Sequence, residues 1–354
     1  MTKPTLPKID YAYLETFLVD LLNIPSPSGY TDAAISFVEE SLKAFPEARA
    51  ERTKKGSLLI HVPGETSHEA GPRRALTAHV DTLGAMVKEI KSNGRLELTE
   101  LGGYAWGSVE GENLLVHTRH HGTVRGSVLP NKASVHVYKT VRDDKRSADS
   151  MEVRLDKRVA NPDDVRALGI EVGDFVSFDP RVELHDGFVK SRHLDDKAAV
   201  AVVMAVIKAF HDSGTKPLED FCVLISTYEE EGMGGRSDLP ASLEELIAID
   251  MAAIGAGQAS DEFHASICVK DAAFPYHHGF SIFFFKQKTA YEIPHKVDIY
   301  VNYSSDATTY WSAGGSAAVA LIGPGVDSSH HYERTHKDAL MGTTKWVLAY
   351  LLNE

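Results

Sequence analysis

Hydrophobic residues recur with two different spacings along the chain. Helical spacing occurs in "DYAYLETFLVDLL", in "DAAISFVEESLKAF", which Thr31 can cap, and in the C-terminal "DALMGTTKWVLAYLL". Short apolar runs typical of buried strands occur in "SLLIHV", "RALTAH", "FCVLIST", "LEELIAIDM", "HKVDIYVNY" and "AAVALIG". "DKAAVAVVMAVIKAFHDSG" is apolar almost all round and closes on Gly214, so it predicts a buried helix. Strands alternating with helices predict a mostly parallel sheet, in which ligand sites lie at the carboxyl ends of strands.

A different pattern occupies the stretch from about Lys88 to about Asp186. Strand-like pieces alternate there with glycine turns, in "GRLELTEL", "NLLVHTRHHGTVRGSVL", "SVHVY" and "GIEVGDFVSF". We therefore predict an α/β fold whose main domain, residues 1–87 plus 187–354, is a mostly parallel-sheet sandwich. Residues 88–186 are predicted to form a small inserted β-barrel-like domain.

One segment of the main domain does not fit either spacing. "FSIFFFKQKTAYEIPHKVD" occupies the place of a crossover helix, but its apolar residues follow neither a helical nor an alternating period. The part "FFFKQKTAYEI" resembles a translated sequencing-adapter fragment. We therefore hypothesise that Ser281 to Ile293 partly replaces native sequence, which resequencing of the gene would test.

Charge and composition narrow the class of protein. The 354 residues carry a formal net charge of −13, which argues against nucleic acid or an anionic membrane as a main partner. The two cysteines, Cys222 and Cys268, lie in apolar contexts and indicate no disulfide framework. The N-terminal sequence has no apolar signal core, and no run reaches the length of a membrane span, so a cytoplasmic protein is expected.

Acidic residues and histidines follow the predicted strand ends. They are His79 and Asp81 in "TAHVD", Asp195 and Asp196 in "RHLDDKAA", Glu229, Glu230 and Glu231 in "STYEEEG", Asp250 in "AIDM", and His330, His331 and His336 in "DSSHHYERTH". Each one alone has an ordinary explanation, such as a helix cap, an ion pair or a core histidine. Together they would converge on one edge of the sheet, and such an excess of negative charge requires divalent cations.

These residue types also indicate which cations and which chemistry to expect. Imidazole and carboxylate ligands without thiolates suit Zn²⁺, the first choice here, or Co²⁺ or Mn²⁺. Two such ions about 3.5–4 Å apart, bridged by one carboxylate, would favour attack by water on an acyl carbon. One further carboxylate must remain free to accept the proton of that water. Where the strand before "EEEG" unravels, Glu230 can bind metal while Glu229 approaches the water, and Glu231 is expected in solvent.

The ordered set "SPSG", "AHVDTLG", "LDDKA", "YEEEG" and "IDM", around an inserted β domain, resembles metallopeptidase family 42. That family includes glutamyl aminopeptidases, tetrahedral (TET) aminopeptidases and members labelled endoglucanases. The resemblance implies a zinc-peptidase-like catalytic domain with two metal ions. It also implies hydrolysis of N-terminal residues from peptides, through attack of a metal-bridging water on the peptide carbonyl. Finally, it implies that the inserted domain makes subunit contacts in homo-oligomers, from dimers to dodecamers.

The resemblance also implies a role for individual residues. His79 and Asp250 would bind one metal, Glu230 and a C-terminal histidine the other, and Asp195 would bridge them. Glu229 would be the general base, and Asp81 would orient the imidazole of His79. We favour His330 as the last ligand over His331 and His336, and expect His336 to begin the final helix.

Two further segments are similar to family segments. "SSDATTYWSAGG" resembles a Gly-Thr-Asp-Ala segment and would place Asp306 near the site, although Ser304 and Ser305 replace the glycine and threonine. The ending "SSHHYERTH" is similar to that of a subgroup linked to N-acetylglutaminylglutamine amide osmolyte gene clusters.

Three other functions remain open on the sequence alone. A metal-dependent deacylase or carboxypeptidase acting on N-acyl amino acids or dipeptides would need similar ligands. A glycosidase would use Glu229 with a second acid and would leave His79 and the C-terminal histidines without a role. A non-catalytic acidic binding or assembly protein would have no need of a free base such as Glu229.

Overall fold

The computed structural model describes residues 4–354 and contains one large sheet, one closed barrel and one small sheet. The helices of this part of the chain are α1 (Tyr11–Leu22), α2 (Asp32–Leu42), α3 (Pro162–Ala167), α4 (Leu194–Ser213), α5 (His278–Ala290), α6 (Asp306–Ser312) and α7 (Lys337–Leu351). Its first nine strands are β1 (Arg49–Arg52), β2 (Leu58–Val62), β3 (Arg74–His79), β4 (Gly84–Ile90), β5 (Leu96–Leu101), β6 (Asn113–His117), β7 (Thr123–Pro130), β8 (Met151–Leu155) and β9 (Phe175–Phe178). The others are β10 (Glu183–His185), β11 (Phe188–Ser191), β12 (Phe221–Ser226), β13 (Glu245–Ile249), β14 (Ala252–Ala253), β15 (Ala265–Lys270), β16 (His295–Ile299), β17 (Ala318–Val326) and β18 (Glu333–His336).

The large sheet has its parallel strands in the middle. Its order is β1-β2-β12-β3-β13-β17-β15-β16, with β14 paired to β17 beside this path. Strands β12, β3, β13 and β17 are parallel neighbours, whereas β2 and β15 join this group in antiparallel fashion. Helices α1, α2, α4, α5 and α7 pack on one face, and α6 packs on the other. The α/β fold with a mostly parallel sheet is thus confirmed.

The central helix α4 explains the long apolar run in the sequence. Every residue from Leu194 to Ile207 is buried, because this helix contacts β3 and also packs between α1 and α7. It ends at Gly214, which has a positive φ of 65° as a C-capping glycine should. The second helix begins after Thr31 as expected, but the Thr31 side chain makes no capping hydrogen bond.

The inserted domain is a closed six-stranded barrel. Its strands follow the order β4-β5-β8-β7-β6-β9 and enclose a core of their own, separate from those of the large sheet. They extend from Gly84 to Phe178, so the first strand begins just before the predicted boundary at residue 88. The prediction of a strand at "SVHVY" is wrong, because this stretch forms turns in the loop 131–147. Val135 and Val137 alternate there, but both are exposed and face no core.

The segment that lacked a clear period forms the helix α5. Of its four buried residues, Phe280, Phe284 and Gln287 have helical spacing, and Phe284 packs against Trp346 with ring centroids 5.6 Å apart. The additional apolar residues Phe283 and Phe285 hid this period in the sequence. The crossover helix is therefore present between β15 and β16, while the hypothesis on the origin of Ser281 to Ile293 stays a prediction.

Within residues 4–354, no helix combines the length and the apolarity that crossing a bilayer requires.

Candidate metal centre

The parallel strands bring the predicted residues to one edge of the large sheet. Strand β3 ends at His79, which lies opposite Ser226 at the end of β12. The acidic run Glu229–Glu231 follows β12, and Asp250 follows β13 directly. Asp195 lies in the first turn of α4, and His330 lies in the turns after β17. Residues separated by about 250 positions in sequence are thereby brought together.

Asp195 lies between two imidazoles. Its Oδ1 is 3.3 Å from Nε2 of His79, and its Oδ2 is 3.3 Å from Nε2 of His330. On the far side, Nε2 of His330 is 3.4 Å from Oε2 of Glu230. Near His79, Oε2 of Glu229 is 3.7 Å from Nε2. The carboxylate of Asp195 thus faces two adjacent ligand positions, one with each of its oxygens.

Two overlapping groups of side chains could each hold a metal ion. They are His79 with Asp195 and Asp250, and Asp195 with Glu230 and His330, and within each group the ligand atoms lie within 4.8 Å of one another. Nε2 of His79 and Oε1 of Glu230 are buried and make no hydrogen bond of ordinary geometry. Burying such polar atoms unpaired is unfavourable, so the site fits cations. Imidazole and carboxylate donors without a thiolate suit zinc, cobalt or manganese.

The acidity of these groups reflects their burial. Burial raises the pKa of Glu230 to about 8, opposed by His330 and reinforced by the charge of Asp195. Burial likewise raises the pKa of Asp250 to about 8. For His330, burial alone would lower the pKa, but Glu230 and Asp195 raise it to about 11. A cation bound here would displace the protons that the cluster otherwise holds, so metal affinity should increase with pH.

Asp81 supports the site in two ways. Its backbone carbonyl lies 2.8 Å from Nδ1 of His79, which fixes the ring so that Nε2 faces the cluster. Its carboxylate is 3.6 Å from that nitrogen and instead accepts hydrogen bonds from Ser28 Oγ and from the backbone N–H groups of Glu229 and Glu230. The main chain of Asp81 therefore orients the imidazole, while its side chain holds the two glutamates in place.

Glu333 and a barrel loop position His330 from the other side. Oε1 of Glu333 accepts from the backbone N–H of His330, and Oε2 accepts from that of Asp195, at 3.0 and 3.1 Å. Nδ1 of His330 lies 2.5 Å from the carbonyl oxygen of Gly103, which follows β5 of the barrel. The sequence analysis assigned no role to Glu333, although this residue follows His330 by three positions. The contact with Gly103 carries no sequence signal.

The remaining candidates lie around the cluster rather than in it. The carboxylate of Asp196 accepts from the backbone N–H of His79, and that of Asp306 accepts from Ser226 Oγ and from the backbone N–H of Gly235. The carboxylate of Glu231 accepts from the backbone N–H of Gly102, although the residue is exposed as expected. His336 caps α7 and His331 is exposed, so among the three C-terminal histidines the structure brings His330 to the site.

A cavity of about 490 Å³ opens onto the cluster. Besides Asp195, Glu229, Glu230, Asp250 and His330, its wall is formed by Gly232, Met251, Ala253, Gln258, Tyr300, Val301, Asn302, Tyr303, Ser304 and Ser329. Most of these side chains are apolar, aromatic or uncharged. The cavity is of a size that suits a small ligand such as one amino-acid residue with its neighbouring peptide group.

Sequence comparisons find relatives over nearly the whole chain. The profile of the M42 glutamyl aminopeptidase family matches residues 56–346. The protein described as "Putative aminopeptidase YhfE" of Bacillus subtilis (strain 168) is 45% identical over 336 residues, which cover 94% of this chain and 95% of that protein. The lysyl aminopeptidase of Pyrococcus furiosus is 24% identical over 250 residues, 68% of this chain and 67% of that protein.

Solved structures show the same fold. A TET aminopeptidase from the marine sediment archaeon Thaumarchaeota archaeon SCGC AB-539-E09 superposes with a TM-score of 0.86 at 16% identity, covering 96% of each chain. The TET1 peptidase of Pyrococcus horikoshii, described as able to assemble into a tetrahedron or a large octahedral shell, has a TM-score of 0.84 at 18% identity. That match covers 96% of this chain and 100% of the other.

Proposed function

Because the chain belongs to the M42 glutamyl aminopeptidase family and is thus a metal-dependent aminopeptidase, we propose that it works with two divalent ions held around Asp195. The observation that carries this proposal is the position of the Asp195 carboxylate, whose two oxygens each lie 3.3 Å from a different imidazole nitrogen. A single ion would leave one of these imidazoles and its carboxylate partner unused. Membership of a peptidase family also makes the chain a hydrolase of peptide bonds.

The assignment of ligands follows the two groups of side chains. His79 and Asp250 would hold one ion, Glu230 and His330 the other, and Asp195 would bridge the two. We propose Zn²⁺ as the first choice, with Co²⁺ or Mn²⁺ as alternatives. When bound, ions in such a site acidify water and polarise the carbonyl group of the substrate.

In this proposal Glu229 would be the general base. Its carboxylate lines the cavity beside the ligands, and burial raises its pKa well above the usual range. It would accept a proton from the attacking water at its carboxylate and pass it to the nitrogen of the leaving peptide. The hydrogen bond from its backbone N–H to Asp81 keeps the carboxylate at this place. Asp81 acts in this proposal as a positioning residue for both Glu229 and His79.

The proposal of two ions is tested by metal removal. Metal content per chain is measured beside the rate of hydrolysis of a panel of aminoacyl anilides. We expect two ions per chain in the active protein, loss of activity after strong chelation, and recovery with Zn²⁺, Co²⁺ or Mn²⁺. Full activity in a metal-free preparation, or saturation of the activity at one ion per chain, would contradict the proposal.

We also propose that the chain forms homo-oligomers through its barrel, from a dimer up to a dodecamer. Two observations support this proposal. The TET1 peptidase of Pyrococcus horikoshii, which has the same fold, is described as assembling into large shells. The barrel loop 131–147 exposes Val135, Val137 and Tyr138, and such a group of apolar side chains is typical of an interaction surface.

A further inference from the structure

Tyr303 is part of the cavity wall next to the metal centre. It follows β16 and precedes α6, and it lines the same cavity as Asp195, Glu229 and Asp250. Its backbone carbonyl accepts from the N–H of Ala272 at 3.0 Å, and its ring packs against that of Tyr300 with centroids 5.4 Å apart. Its ring is therefore held at a fixed place beside the reacting groups.

The hydroxyl group of Tyr303 is buried without a hydrogen bond. A buried tyrosine hydroxyl ordinarily finds a partner, and both neighbouring tyrosines do. The hydroxyl of Tyr300 bonds to Ser260 Oγ at 2.7 Å, and that of Tyr276 donates to Asp271 Oδ2 at 3.0 Å. The unpaired hydroxyl of Tyr303 is thus a local exception, and leaving such a group unpaired is unfavourable unless a ligand completes its hydrogen bonding.

The surroundings of this hydroxyl are acidic. Burial and then the charges of Asp250, Asp195 and Glu229 raise the pKa of Tyr303 well above its usual range. The hydroxyl is near enough to Asp250 to oppose the rise in that residue's pKa, although the two do not form a hydrogen bond of ordinary geometry. With the three carboxylates engaged as ligands or base, the O–H of Tyr303 is a neutral donor beside the cavity that these residues line together.

Peptide hydrolysis creates one new acceptor at this place. The scissile carbonyl oxygen gains negative charge when water adds to its carbon, whereas the substrate's amino group is a donor that matches carboxylates. We propose that Tyr303 is a catalytic residue whose hydroxyl donates a hydrogen bond to this carbonyl oxygen as it becomes an oxyanion. The O–H bond of Tyr303 is not broken, and the proton of the attacking water goes to Glu229. The inference rests on the proposed function, because it needs the substrate carbonyl beside Asp195 and Asp250.

The test compares Tyr303→Phe with Tyr276→Phe. Both changes remove one buried hydroxyl and keep the ring, but Tyr276 bonds to Asp271 and lies outside the cavity wall. Removing a donor to an oxyanion typically costs about 10²–10³ in kcat. Since the metal ions share this task, we expect kcat of Tyr303→Phe to fall roughly 10–100-fold, with KM and metal content unchanged. Affinity for a phosphinic peptide analogue of the tetrahedral intermediate should fall by a similar factor, while Tyr276→Phe changes neither kcat nor this affinity.

Three results would overturn this inference. An unchanged kcat in Tyr303→Phe would show that the hydroxyl takes no part in the reaction. A higher KM at constant kcat would assign it to ground-state binding. Lower metal content, with the rate restored by excess metal, would make Tyr303 a positioning partner of Asp250. If the wild-type protein instead holds one ion or is active without metal, the proposed two-ion function fails, and that outcome is visible before any variant is made.

Discussion

At the scale of single residues, the three consecutive glutamates have three different surroundings. Glu229 faces His79, with 3.7 Å between Oε2 and Nε2, while Glu230 faces His330 at 3.4 Å. Glu231 lies outside the cluster and accepts from Gly102. Because the chain leaves β12 at Ser226, regular strand alternation no longer constrains which way these side chains point. On the proposed assignment, the same residue type therefore serves as base, ligand and loop anchor in one run.

These different surroundings predict different effects of the same substitution. Glu229→Gln keeps the shape of the side chain but cannot accept a proton, so turnover should fall by roughly 10²–10⁴-fold with both metals retained. Glu230→Gln replaces an anionic ligand by a neutral one, so it should weaken binding of one metal, and excess metal should restore part of the rate. Metal analysis and single-turnover rates on both variants check this.

Glu231→Gln is the matched control for these two variants. A glutamine oxygen can still accept from the backbone N–H of Gly102, so we expect metal content and turnover close to those of the wild type. Similar small effects in all three variants would indicate a solvated acidic loop. Metal loss in Glu229→Gln with Glu230→Gln unaffected would exchange the two assigned roles.

The sequence could predict which residues meet, but not all the atoms that hold them. Polar residues that follow predicted buried strands were expected to meet, because the carboxyl ends of parallel strands lie at one edge of the sheet. These residues are His79, Asp195, Glu229, Glu230, Asp250 and His330. The role of the Asp81 backbone carbonyl in orienting His79 could not be predicted. Every residue has such a carbonyl, so the sequence does not indicate which one contacts the imidazole. Tyr303 was missed because one tyrosine between a strand and a helix looks like ordinary core. Only its unpaired hydroxyl distinguishes it.

At the scale of elements, the glycine turn after β12 is packed against the start of α6. A Cβ added at Gly234 would lie 2.1 Å from Oδ1 of Asp306, and one at Gly235 would lie 2.3 Å from the Asp306 carbonyl oxygen. Asp306 in turn accepts from the N–H of Gly235 and from Ser226 Oγ. The turn that carries the glutamates is therefore fixed by contacts that leave no room for a side chain.

Gly234→Ala tests this packing. The added methyl group must displace Asp306, so we expect a loss of about 1–3 kcal/mol in the free energy of unfolding, as is usual for overpacking. The control is Gly255→Ala, where a Cβ would meet nothing within 4 Å. Urea titrations of both variants and the wild type, at saturating metal, measure the difference. Equal midpoints for all three proteins would mean that the turn can shift at no cost.

Two elements show where pattern reasoning succeeds and where it fails. The apolar run of α4 predicted a buried helix correctly, since a residue surrounded by core has to be apolar on every side. The helix α5 was not recognised, because Phe283 and Phe285 are apolar without being fully buried. Val135 and Val137 led to the wrong prediction of a strand, because they are apolar residues that alternate on the exposed side of a loop. Apolar residues on surfaces are thus the main source of error in both cases.

At the scale of the whole molecule, the barrel loop 131–147 is the surface that we expect to join subunits. Val137 is 69% exposed and Val135 is 53% exposed, and contact with a second copy would cover them. We expect the wild-type chain to sediment at least as a dimer at micromolar concentration. Val137→Asp introduces a charge into this contact, and the sedimentation coefficient should fall towards that of smaller species.

Val172→Asp is the control for assembly, because Val172 is a 55% exposed valine of the inserted domain outside this loop. It should leave the oligomer unchanged. Dissociation by Val172→Asp but not by Val137→Asp would move the contact to another face of the inserted domain. A monomeric wild-type chain would contradict the assembly proposal altogether.

The residues of the site are far apart in sequence, and this separation has a consequence for synthesis of the protein on the ribosome. His79 emerges early, but His330 follows about 250 residues later. At elongation rates of about 5–20 residues per second, roughly 10–50 s separate the two. During this interval a nascent chain has at most part of the proposed ligand set and lacks the imidazole that pairs with Glu230. On the proposed ligand assignment, a growing chain therefore cannot trim the N-terminus of another chain, or its own, until His330 has emerged and β17 has joined the sheet.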